Sequence, residues 1–78
     1  MVRAAKTLAQ MKVNPLDWRI ESLQSVAQAC GLVYRQPGGS HVIFRNPNGA
    51  MLSVPARRPI KPIYVKKFER LIEEGIAE

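Results

Sequence analysis

Residues 32–55 read LVYRQPGGSHVIFRNPNGAMLSVP. Three short runs of β-favouring side chains alternate with two clusters of turn residues. Leu32-Val33-Tyr34-Arg35 is a first strand, and Gln36-Pro37-Gly38-Gly39-Ser40 is the loop that follows it. His41-Val42-Ile43-Phe44-Arg45 carries the strongest strand signal in the chain. Asn46-Pro47-Asn48-Gly49 is a tight turn, because Asn and Gly tolerate positive φ. Ala50-Met51-Leu52-Ser53-Val54 is the third strand, and Pro55 is expected to end its pairing. Three consecutive strands joined by connections this short predict one antiparallel meander.

Side chains alternate between the two faces of such a sheet. Val42 and Phe44 share one side of the second strand, and His41, Ile43 and Arg45 share the other. On the third strand Leu52 and Val54 suit a core, which turns Met51 and Ser53 outward. A bulge at Ser40 would reverse this assignment.

Outside the meander the period changes to that of a helix. Ile20, Leu23, Val26, Ala27 and Cys30 recur at steps of three and four. Asn14-Pro15 reads as a start signal and Gly31 as a C-terminal cap, so a helix is expected from about Pro15 or Trp18 to Cys30. Tyr64, Val65, Phe68, Leu71 and Ile72 trace one face of a closing helix. Residues 1–13 are basic and suit either a frayed helix or an arm. The expected fold is α+β, in the order α-β-β-β-α. Both helices lie on one sheet face, and the other face stays open.

The chain has 78 residues, of which 46% are hydrophobic and 23% charged, which suits one globular domain over residues 1–78. No apolar run exceeds three residues, so neither a membrane helix nor a signal peptide is expected, and the cytoplasm is the expected location. One cysteine and one histidine make neither an internal disulfide nor a zinc site.

The net charge is +6, and its distribution is uneven. Between Glu21 and Glu69 there is no carboxylate, while Arg35, Arg45, Arg57, Arg58, Lys61, Lys66 and Lys67 all fall there. A basic, carboxylate-free middle points to a polyanionic partner, nucleic acid first. An acidic protein is the second candidate and an anionic membrane surface the third. A solvated face kept for solubility is the plain alternative. The missing carboxylates also argue against paired-acid glycosidase chemistry and against a two-magnesium site.

Two segments carry candidate chemistry. In Gly38-Gly39-Ser40-His41 the glycines let a backbone approach a ligand closely, Ser40 supplies a hydroxyl and His41 an imidazole. Imidazole, with an ordinary pKa of about 6.5, both takes and gives protons near neutrality. RNA cleavage by its own 2′-OH needs a base, an acid and positive charge on the phosphate, and no metal. The same segment is also ordinary turn chemistry. In Arg57-Arg58-Pro59-Ile60-Lys61-Pro62, cations in a proline-stiffened loop next to a helix start suit a phosphate. Trp18 and Tyr64 read as packing residues and Cys30 as a small buried hydrophobe. Tyr34 suits either base stacking or the core edge.

The runs Gly39-Ser40-His41-Val42-Ile43-Phe44, Leu52-Ser53-Val54-Pro55 and Arg58-Pro59-Ile60-Lys61-Pro62-Ile63-Tyr64-Val65 resemble the HicA (YcfA-like) toxins. Asn14-Pro15-Leu16-Asp17-Trp18-Arg19-Ile20 is similar to one branch of that family, so the resemblance spans nearly the whole chain. It implies a fold like the double-stranded-RNA-binding domain. It implies an mRNA-cleaving toxin of a type II toxin–antitoxin system, with His41 catalytic and no metal cofactor. It also implies a HicB-type antitoxin that masks His41, and an N-terminal extension in residues 1–13. The charge reading adds Gly39 and Ser40 at the scissile phosphate, and Arg35, Arg45, Arg57, Arg58 and Lys61 on flanking phosphates. The rival reading is a non-catalytic RNA-binding module on the same fold.

Overall fold

A computed structural model describes residues 3–76, with side chains described from residue 6 onward. The elements are α1 (Arg3–Val13), α2 (Ile20–Ala29), β1 (Val33–Arg35), β2 (His41–Arg45), β3 (Met51–Pro55) and α3 (Pro62–Glu74). The sheet is antiparallel in the order β1-β2-β3. Tyr34 is registered opposite Phe44, and Phe44 opposite Leu52. The expected meander is present and the fold is α+β.

The alternation read from the strands holds. Val42, Phe44, Leu52 and Val54 are buried, whereas His41, Arg45, Met51 and Ser53 are exposed. Ile20, Leu23, Val26 and Ala27 of α2 and Val65, Phe68 and Leu71 of α3 complete the core on that side. At its centre the rings of Phe44 and Phe68 meet edge to face, with centroids 4.9 Å apart, a favoured aromatic geometry. Among the described residues no helix covers the opposite sheet face.

The N-terminal segment corrects the expected element count. Residues 3–13 form a full helix that packs against α2 and α3, and Met11 is completely buried. The order is therefore α-α-β-β-β-α, with the expected α-β-β-β-α contained in it. Asn14-Pro15 closes α1 rather than opening α2. Proline disfavours helical backbone at the residue before it, so α1 stops at Val13. The Asn14 side chain then accepts a hydrogen bond from the Leu16 amide at 3.1 Å, and the Asn14 backbone carbonyl accepts one from the Trp18 indole at 2.6 Å. Helix α2 starts only at Ile20.

The other end of α2 follows expectation in one respect and departs from it in another. Gly31 is left-handed at φ 81°, and the Leu32 amide donates to the Ala27 carbonyl at 2.9 Å. This is the six-to-one bond of a Schellman cap. Leu32 is buried just past this cap, whereas Cys30, expected as a small buried hydrophobe, is exposed. Pro55 does not end the β2–β3 pairing as expected. It stands opposite His41, and the Ala56 amide donates to the Ser40 carbonyl at 3.0 Å beyond it. β3 is an edge strand, where a residue without an N–H is tolerated.

Candidate active site

The site begins with the turn that delivers β2. Pro37 takes the second place and Gly38, at φ 76°, the third place of a turn closed by the Gly39 amide on the Gln36 carbonyl at 3.4 Å. That is the residue pattern of a type II turn. Gly39 is also left-handed, at φ 81°, and its carbonyl accepts from Gln36 Nε2 at 2.8 Å. A Cβ at Gly38 or Gly39 would meet no atom within 4 Å. Glycine is required there for backbone conformation, not for space.

Ser40 and His41 follow. Ser40 Oγ and His41 Nδ1 are 3.2 Å apart, and among the described residues Nε2 has no partner. His41 is exposed on the open sheet face, at the end of β2 nearest the glycine turn. Its registered neighbour Pro55 leads into the loop that returns to α3. The Arg58–Pro59 peptide in that loop is cis, and Ile60 is anchored in the core with its amide on the Trp18 carbonyl at 2.8 Å. This anchoring carries Lys61 to the N-cap of α3, with Pro62 behind it.

These segments enclose a cleft of about 290 Å³ lined by Ser40, His41, Pro55, Arg57, Pro59, Lys61 and Tyr64. The lining has two cations, one imidazole and two hydroxyls, and no carboxylate. Lys61 stands where the partial positive charge of the helix N-terminus adds to its own. The cleft therefore suits an anion with a proton-transfer group beside it.

The expected site residues divide into three groups. Ser40, His41, Arg57 and Lys61 share the cleft. Gly39 shapes the turn behind it, and Arg58 is exposed on the loop without lining the cleft. Arg35 and Arg45 line a second groove of about 290 Å³ with Val33, Tyr34, Ile43 and Met51. This groove continues the open face along β2 from His41 through Ile43 to Arg45. Tyr34 packs on Phe44 with ring centroids 5.8 Å apart, three residues along β2 from the imidazole.

Sequence reasoning gave Tyr64 a packing role alone. Its ring does pack against the core, yet it also lines the cleft. The signal was its spacing from Lys61. Three residues apart across a helix start, the two side chains fall on the same side of the first turn.

Among the described residues no three His, Cys, Asp or Glu side chains gather as a metal site, and no helix is long and apolar enough to cross a membrane. Comparison with protein-family models, curated proteins and solved structures returned no match.

Proposed function

We propose that the protein is an endoribonuclease toxin of the HicA type, cleaving mRNA with His41 and without a metal ion. One observation carries this reading: the only histidine of the chain opens into a carboxylate-free cleft with Arg57 and Lys61. In this reaction the 2′-OH of the RNA attacks the adjacent phosphorus. His41 Nε2 takes the proton from that hydroxyl. For this the lone pair must be on Nε2, which is the tautomer obtained when Nδ1–H donates to Ser40 Oγ. Ser40 is thus a positioning residue for the imidazole. Arg57 and Lys61 hold the negative charge that grows on the phosphate oxygens, where preorganised cations contribute most.

Arg35 and Arg45 hold phosphates of the same strand further along the open face, and Arg58 adds to the field around the cleft. The strand is single-stranded, since its bases must leave a duplex to lie on a flat, partly apolar groove. The protein acts in the cytoplasm. A HicB-type antitoxin with an acidic surface covers His41, because the charge that attracts RNA also attracts carboxylates.

The test is cleavage of a labelled single-stranded RNA by purified protein in excess EDTA, with His41→Ala alongside. Cleavage by the wild type, reduced by about 10²–10⁴ in the variant while RNA remains bound, is expected for loss of a general base. Equal cleavage by both would place the activity elsewhere. Binding without cleavage by either would favour the RNA-binding module.

A further inference from the structure

Cleavage through the 2′-OH needs two proton transfers, and the chain has a single histidine. The cleft supplies the second group. Arg57 does not give up its proton in proteins. Ser40 Oγ is engaged with His41 Nδ1. Lys61 is exposed and stands at the N-terminus of α3 as the phosphate's counter-charge. Tyr64 remains. Its ring is held by the core on one side and by the Lys67 ammonium 5.9 Å from the centroid, while its amide donates to the Lys61 carbonyl at 2.9 Å. Among the described residues its hydroxyl has no hydrogen-bond partner, and the residue faces the same cleft as His41.

We infer that Tyr64 is the general acid of the cleavage, the proton donor to the leaving 5′-oxygen. The assignment rests on the ribonuclease reading above. The 2′-OH proton passes to His41 Nε2 as the bond from O2′ to phosphorus forms. The bond from phosphorus to O5′ breaks with its electron pair on O5′, which takes the proton of the Tyr64 hydroxyl. The products are a 2′,3′-cyclic phosphate and a 5′-hydroxyl. His41 then releases its proton to water, and the Tyr64 oxygen regains one from water. Tyr64 is the third residue of α3, an element whose position is fixed by buried Val65 and Phe68. The two proton carriers therefore come from different elements, one on the sheet and one on the helix.

The test compares Tyr64→Phe with the wild type on two RNAs. One has the ordinary 5′-oxygen at each linkage, and the other a 5′-bridging sulfur, which leaves without needing a proton. Phenylalanine keeps the ring and its packing. The variant is expected to cleave the oxygen substrate about 10²-fold more slowly and the sulfur substrate at close to the wild-type rate. His41→Ala is expected to fail on both. Equal loss on the two substrates, or no loss on the oxygen substrate, would overturn the role of Tyr64 and leave the ribonuclease reading standing. Failure of the wild type on both would overturn that reading, and this assignment with it.

Discussion

Glu69 shows what a single ionisable group costs this small core. It is the only buried charged residue among those described, on α3 where that helix meets α1, and its Oε2 has no hydrogen-bond partner there. Burial pushes its carboxyl pKa up, with Glu73 adding to the rise, while Lys12 and Lys66 oppose it. Lys12 is committed to an ion pair with Glu73. The folded state therefore keeps the Glu69 proton to higher pH than the unfolded state. Its contribution is fully present below the ordinary carboxyl range and is lost as pH rises through the raised value. Glu69→Gln should raise the thermal unfolding midpoint at pH 7, and the gain should vanish toward about pH 4. A gain that is constant with pH would show that charge is not the cause. Such residue-level facts were unevenly legible. Chemistry and local order picked out Ser40, His41, Arg57 and Lys61, which share the cleft; Tyr64 packs on the core as expected but also lines the cleft, and Cys30 is exposed where burial was expected. Periodicity says that a residue touches the core but not what its far end reaches, and at the last turn of α2 it did not show that Cys30 is exposed.

The β2–β3 hairpin is tied to α3 by its turn. Asn46 Nδ2 donates to the Leu71 carbonyl at 2.9 Å, and Asn48 Nδ2 to the Gly75 carbonyl at 3.0 Å. The Leu71 carbonyl also accepts the Gly75 amide at 3.1 Å, so Asn46 adds a second bond to it, whereas Asn48 satisfies the carbonyl of the helix C-cap. The same side chains order the turn, since Asn46 Oδ1 accepts from the Asn48 amide and Asn48 Oδ1 from the Ala50 amide. Asn46→Ala should cost about 1 kcal/mol in denaturant unfolding, a typical figure for a part-buried hydrogen bond. No change would mean that the hairpin and helix are held by the core alone. At this scale the strands and α3 were readable because period and turn residues agree. Asn14-Pro15 was not, because the same pair suits the end of one helix and the start of another. What decided it was the burial of Leu8 and Met11 in α1, which a basic, weakly patterned segment conceals.

Over the whole molecule the two sheet faces divide the work. One carries the core beneath α2 and α3, with α1 packed against both helices, and the other presents His41, Arg35 and Arg45. Residues 3–13 belong to the first task. Helix α1 lies against both other helices, so it stabilises the layer that holds Lys61 and Tyr64 in place. Met11→Ala should destabilise the fold by about 2–5 kcal/mol, a large part of the 5–15 kcal/mol usual for a domain. Denaturant unfolding measures this, and a loss below about 0.5 kcal/mol, the range of surface substitutions, would return the segment to the status of an arm. The charge asymmetry that first pointed to a polyanion was legible because it is a property of composition along the chain. Its division into a cleft and a separate groove was not, because strand register decides which cations meet.

The chemistry at His41 is tested most directly by the end that cleavage leaves on the RNA. A single-stranded RNA incubated with the protein in excess EDTA should yield 2′,3′-cyclic phosphate and 5′-hydroxyl ends, because the 2′-oxygen is the nucleophile. A 3′-hydroxyl with a 5′-phosphate would mean that water attacks instead, and would contradict the account.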